Sequence, residues 1–113
     1  MPFYESIFIL RSSLPEEEAK AVQEKMKGAL EKHGASIMKA ENWGKKKLAY
    51  EVAHDRRGMY TFLQFEAPGH VVSELERLYR LEDSVLKFLT VRVEEEDFQA
   101  AAAEPVESES GGV

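Results

Sequence analysis

Ile7, Phe8, Ile9 and Leu10 follow one another inside the segment YESIFILR, Tyr4 to Arg11. Side chains on a strand alternate between its two faces, so this run puts apolar groups on both. A strand apolar on both faces belongs in the middle of a sheet. The rest of the chain must therefore supply neighbouring strands and a covering layer.

The covering layer is legible as two helical stripes. Ser13 and Glu16 have the spacing of a capping box, with Pro15 in the first turn where its missing N–H costs little. From there Ala19, Val22, Met26, Ala29 or Leu30, and His33 recur on one face, and Gly34 stands where a left-handed C-cap is wanted. This predicts a helix over about 15–33. After Pro68-Gly69, a second stripe of Val71 or Val72, Leu75, Leu78 and Tyr79 predicts a helix ending near Leu81.

Three further strands complete the pattern. Ser36–His54 alternates as one long strand with a bend, and Gly44 is the natural place for a bulge. Leu48, Tyr50 and Val52 form its core-facing half, while Lys45, Lys47 and Glu51 point the other way. Asp55-Arg56-Arg57-Gly58 reads as a turn, with Gly58 able to take positive φ. Met59–Glu66 is the third strand and Val85–Val93 the fourth. The order β-α-β-β-α-β, with both stripes buried on one side, gives an α+β, ferredoxin-like two-layer sandwich: a four-stranded antiparallel sheet with two helices on one face. The other face is expected to stay open, and function is expected on that face or on the sheet edges.

Charge is unevenly placed. The chain of 113 residues has formal net charge −6, but seven of its 21 acids lie in residues 94–113, which contain no Lys or Arg. The remaining 15 basic residues face 14 acids, a body near neutrality. Within it, 39–58 holds six cations (Lys39, Lys45, Lys46, Lys47, Arg56, Arg57) against Glu41, Glu51 and Asp55. Residues 1–93 are thus read as the domain and 94–113 as an acidic tail, expected to be disordered because it offers little apolar area to offset its ordering entropy.

Several chemistries find no support. There is no cysteine, hence no disulfide or thiolate chemistry. His33, His54 and His70 fall in three separate elements without ligand spacing, so no metal is expected. The acids Glu16, Glu17 and Glu18 suit the positive end of a helix dipole better than paired acid–base work. No phosphate-cradling glycine loop appears, and no cofactor or small-molecule substrate is expected. An acylphosphatase-like enzyme would want an Arg-bearing phosphate loop after the first strand, and Arg11-Ser12-Ser13-Leu14-Pro15 lacks the glycine. The apolar run at Ile7–Leu10 is far shorter than the ~20 residues a bilayer needs, and nothing there has the order of a signal peptide, so a cytoplasmic location without membrane contact is expected. A non-catalytic regulatory or ligand-sensing domain remains as an alternative on this fold.

RNA binding needs basic groups, and here the RNA-recognition motif is the natural comparison. Aligned on Arg57-Gly58, its third-strand pattern leaves Tyr60 and Phe62 one position out of register, on the opposite face. No single-strand stacking platform is expected, so RNA contact would be to backbone and shape. The three lysines of WGKKKLAYEV divide between faces, Lys45 and Lys47 on one and Lys46 on the other. They would equally serve to guard an edge strand against pairing with another sheet.

The segments YES, WGKKKLAYEV, RRGMYTFLQF and LERLYRLEDSVLKFLTVRVE, in this order, resemble the bacterial small-subunit ribosomal protein six family. Its shared features are an early Tyr-Glu, W/L-G-x-R/K-x-L-A-Y, G-x-Y before the third strand, and R-x-x-x-x-V-x-R/K entering the fourth. The resemblance covers about residues 3–93. It implies a sheet of order 4-1-3-2. It also implies binding to the central domain of small-subunit ribosomal RNA together with ribosomal protein eighteen, as a ribosome-associated structural protein and not an enzyme. By family position, Tyr4, Lys46, Arg80, Lys87 and Arg92 are implied on the RNA side, with Lys45 and Lys47 as adjacent candidates. Pro2 and Phe3 stand where members often carry Arg or Lys. Lys46 and Lys87 stand where arginine is common, keeping the charge without its two-pronged hydrogen bonding.

Overall fold

The computed structural model describes residues 1–52 and 55–94, with the side chains of 49–52 and 55 set aside. The elements are β1 (Phe3–Arg11), α1 (Glu16–Lys32), β2 (Ser36–Val52), β3 (Asp55–Glu66), α2 (Gly69–Leu81) and β4 (Val85–Val93). All pairings are antiparallel and the sheet order is β2-β3-β1-β4, the order the resemblance implied. The apolar run puts β1 between β3 and β4, where both strand edges are hydrogen-bonded and both faces are covered.

The larger core lies between sheet and helices. Phe8 and Leu10 of β1, Met59, Leu63 and Phe65 of β3, Met26 and Leu30 of α1, and Val71, Leu75 and Tyr79 of α2 meet there. Tyr79 is packed between Phe8 and Phe88, with each ring centroid 5.0 Å away. Its hydroxyl is 2.7 Å from the Ser6 hydroxyl, which in turn is 2.8 Å from that of Thr90. This chain ties α2 to β1 and β4 and satisfies hydroxyls that would be costly to bury unpaired. Burial pushes the Tyr79 phenol well above its ordinary value of 10.0, against the opposing pull of the Ser6 hydrogen bond.

Three local features differ from expectation. Helix α1 begins at Glu16 with Pro15 as N-cap and no side-chain cap, so the capping box of Ser13 and Glu16 does not form. Proline at that position offers no side-chain acceptor, and the three first-turn acids meet the exposed amides by charge instead. The helix ends as expected. Gly34 takes φ 94°, its N–H donates to the Glu31 carbonyl at 3.1 Å, and Ala35 N–H donates to Leu30 at 2.9 Å, the paired bonds of a Schellman motif.

The second difference is at Asp55–Gly58, which is strand and not turn. β3 starts at Asp55, opposite Val52, and the connecting positions 53 and 54 lie outside the described residues. Gly58 does not use positive φ, which among the described glycines Gly34 and Gly44 do. It is small because a Cβ there would lie 2.2 Å from Ile9 Cγ2.

The third is the helix-free face, which is only partly open. Ile9, Leu48 and Tyr60 are buried there, with Ile7, Trp43 and Leu86 packed around them. A bulge permits this: the β2–β3 register shifts between Asn42 and Gly44, Gly44 takes φ 81°, and its N–H donates to Asn42 Oδ1 at 2.8 Å. Trp43 thereby stacks on Phe62, at 5.2 Å and 12° between planes, and donates from Nε1 to Glu41 at 3.0 Å. Leu48 is buried, but in this second cluster on the helix-free face, so it does not face the core under the helices and it is Lys45 and Lys47 that lie on the helix side; the side chains of Tyr50 and Val52, and the tail from Glu95 onward, lie outside the described residues.

Two outcomes follow for stability. Gly58→Ala lowers stability by about 1–3 kcal/mol, because Ile9 must give way; urea unfolding should show a lower midpoint at unchanged slope. The Tyr79 phenol stays neutral in the fold while the unfolded chain ionises near pH 10, so folding stability falls as pH rises above that value, by up to about 1.4 kcal/mol per pH unit for this group. Unfolding measured from pH 9 to 11 should show a steeper loss in the native chain than in Tyr79→Phe.

Candidate nucleic-acid interface

The lysine run lies at the end of the β2–β3 hairpin, and the bulge at Gly44 sets its register. Lys45 stands opposite Met59, Lys46 opposite Gly58 and Lys47 opposite Arg57. Met59 faces the helices, so alternation puts Lys45, Lys47 and Arg57 on that side. Gly58 abuts Ile9 and Leu48 on the other side, which places Lys46 and Arg56 there. The division of the lysines therefore agrees with strand alternation, and Arg56 and Arg57 join it through pairing.

These cations are unevenly covered. Lys45, Lys47, Arg56 and Arg57 are exposed, and Lys46 is half-buried. Among the described residues none of the four exposed cations has an ion pair. Lys47 and Arg57 face each other directly, an arrangement that is unfavourable for like charges without an anion nearby. On the helix side Lys45 borders a cleft of about 290 Å³ with Leu14, Glu16, Asn42, Gly44 and Met59.

The remaining implied residues lie at the opposite margin of the sheet. Lys87 is exposed on the helix-free face of β4, opposite Ile9. It lies near enough to Tyr60 that its charge partly offsets the rise that burial causes in that phenol's pKa. Arg80 ends α2 with its guanidinium 5.5 Å from the Phe88 ring and 3.8 Å from Glu76. Arg92 is exposed opposite Tyr4 and lines a groove of about 360 Å³ with Met1, Pro2, Phe3, Val93 and Glu94. Tyr4 itself is only 8% exposed, its ring 5.7 Å from Phe65, and in this structure it is a core residue.

The structure thus gathers Lys45, Lys46 and Lys47 on the β2 margin and leaves the others dispersed on the far side of the sheet: Lys87 on the helix-free face of β4, Arg92 on its helix side opposite Tyr4, and Arg80 on α2. Three strand spacings, about 14 Å, separate the margins. On the β4 margin the helix-free face carries Leu89 (63% exposed) and Val91 (42% exposed), with Ile7 opposite Leu89, Glu5 opposite Val91 and Lys87 next along the strand, a short apolar strip. Tyr60 and Phe62 also lie on this face, contrary to the register comparison, yet each is only 6% exposed. The stacking platform is absent because Trp43 covers Phe62 and the small second cluster buries Tyr60.

Sequence reasoning missed one further cation. Arg11 ends β1 opposite Gly58, in the same cross-strand row as Lys46. Its Nε is buried without a hydrogen-bond partner among the described residues. Only the register brings it beside the hairpin; nothing in its local sequence marks it.

Comparison with known proteins agrees with this geometry. A sequence model of the family described as ribosomal protein S6 matches residues 3–92. The small ribosomal subunit protein bS6 of Desulfatibacillum aliphaticivorans is 44% identical over 93 residues, which are 82% of this chain and 50% of that protein. The protein of the same name from Caulobacter sp. (strain K31) is 39% identical over 99 residues, 88% of this chain and 79% of that one. The chain therefore spans about half the length of the first of these relatives. The crystal structure of 30S ribosomal protein S6 from Thermotoga maritima superimposes with a TM-score of 0.82 at 32% identity, covering 90% of this chain and 96% of that one. With the family pattern, the fold and the sheet order in agreement over nearly the whole described body, the chain belongs to the ribosomal protein S6 family, a family of structural, non-enzymatic proteins.

Proposed function

We propose that this protein is a structural constituent of the small ribosomal subunit in the cytoplasm. In this reading residues 1–93 bind the central domain of small-subunit ribosomal RNA jointly with ribosomal protein eighteen. The observation that carries the reading is the hairpin: five cations, Lys45, Lys46, Lys47, Arg56 and Arg57, on two paired strands of a body that is nearly neutral only as a whole. Such an array is self-repelling alone and is stabilised by a polyanion. Its contacts neutralise phosphates and release counterions, which gives affinity without base specificity. Lys87 and Arg92 extend the same chemistry to the β4 margin, with Arg80 beside them.

The protein partner fits the apolar strip on the β4 margin. Leu89 and Val91 are large apolar side chains exposed side by side on an edge strand, bordered by Lys87. A surface of this kind gains most from burial against another protein, while the cations around it remain at the rim. RNA and protein partner would then share one composite surface, which supports a joint assembly.

The test is binding of a central-domain RNA fragment in the presence of ribosomal protein eighteen, titrated with salt. Affinity should fall steeply as salt rises, and salt-insensitive or absent binding overturns the proposal. Lys46→Glu should weaken binding at least about tenfold, roughly 1.4 kcal/mol, whereas Glu17→Lys on α1 should change it little. Equal effects of the two would remove Lys46 from the interface.

A further inference from the structure

The hairpin end is basic on both faces, and a flat RNA surface could use only one of them. We infer that it is a wedge, with Lys45, Lys47 and Arg57 meeting one RNA backbone strand and Lys46, Arg56 and Arg11 meeting another. This inference rests on the RNA-binding reading and deepens it by assigning Arg11, Arg56 and Arg57 to the site and stating the shape of the RNA.

Four observations carry it. The register fixes the two sets: Lys47 opposite Arg57 on the helix side, and Lys46, Gly58 and Arg11 in one row on the other. The exposure of Lys45, Lys47, Arg56 and Arg57, and their lack of ion pairs among the described residues, leave cations available on each side. Gly58 stands between Lys46 and Arg11 in that row and adds no side chain of its own, its place on the helix-free side being taken by Ile9. Finally, Lys47 and Arg57 oppose each other across the strands, which an edge-guarding role does not need, since one cation on the edge strand would suffice.

Geometry then constrains the RNA. A two-stranded ribbon is too wide for the deep, narrow major groove of a regular A-form helix, and the wide minor groove is too shallow to seat it between the two backbones. Two phosphate rows can flank it only where backbones diverge, at a bulge, a loop or a junction of helices. The wedge therefore selects a splayed RNA by shape, without reading bases.

The experiment compares salt dependence among charge-neutralised variants on the same central-domain RNA fragment with ribosomal protein eighteen. One variant is Lys45→Gln, Lys47→Gln and Arg57→Gln; the other is Lys46→Gln, Arg56→Gln and Arg11→Gln. A control neutralises Lys20 and Lys32, which are exposed and lie on α1 and not on either strand of the hairpin. Each lost phosphate contact should lower the slope of log affinity against log salt by about 0.7–0.9. Expected is a reduced slope for both sets, adding when combined, and an unchanged slope for the control. A reduction confined to one set means a single-sided contact, and no reduction in either means edge protection; each overturns the wedge while leaving RNA binding intact. Salt-insensitive native binding would overturn the RNA reading itself. Because Arg11 is partly buried, Lys46→Gln with Arg56→Gln is measured alongside, so that misfolding of the triple variant leaves the helix-free side tested.

Discussion

The rest of the structure depends on β1 being apolar on both faces. Its even positions, Phe8 and Leu10, are sealed by the two helices, and its odd positions, Ile7 and Ile9, need a second cover. No further helix supplies one. The long β2–β3 hairpin does, by bulging at Gly44 so that Trp43 and Leu48 fold onto the helix-free face. One apolar run thus demands both the central place of β1 and the bend of β2. The bend in turn sets which residues of the lysine run face which way.

Function in this account is a by-product of that geometry and of where charge is tolerated. The middle of the sheet is committed to packing: Tyr60 and Phe62 are buried, and Tyr4, though aromatic and near the N-terminus, fills the helix-side core. Cations are therefore left to the margins and the hairpin end, where their stems pack on the sheet and their heads stay in water. The same lysines also discourage sheet-to-sheet pairing along β2. Edge protection and phosphate binding are compatible uses of one charge, but only the second gives a reason for arginine on the facing strand. On the β4 margin Leu89 and Val91 stay exposed although Lys87 and Arg92 lie on the same strand, which marks that margin as the side where a protein surface is wanted.

Much of the fold was legible in the residues, because it rests on periodicity. The stripes of α1 and α2, the bounds of β4 and the bulge at Gly44 follow from spacing and from glycine alone. What was not legible came from contacts between distant segments. The Asp55–Gly58 turn looked sound by turn chemistry, but pairing with β2 extends the strand through it, and Gly58 is needed for its missing side chain rather than its φ. The capping box at Ser13 had the right spacing and lost to Pro15 at the N-cap. Of the candidate site, the lysine run announced itself as charge together with Arg56 and Arg57, which looked like turn residues and were placed opposite it by strand pairing, whereas Arg11 joins it only through register. Tyr4 shows the reverse case, a family position on the RNA side whose ring is buried here.

In the proposed assembly RNA meets the cations of the sheet margins, with Arg80 of α2 beside them, and not those of α1. Lysine reactivity toward an acetylating reagent, read residue by residue by mass spectrometry with and without the central-domain RNA and ribosomal protein eighteen, tests it most directly. The account predicts protection of Lys45, Lys46, Lys47 and Lys87 on assembly, with Lys20 and Lys32 of α1 reacting as before. Protection of the α1 lysines with the hairpin lysines still reactive would contradict it.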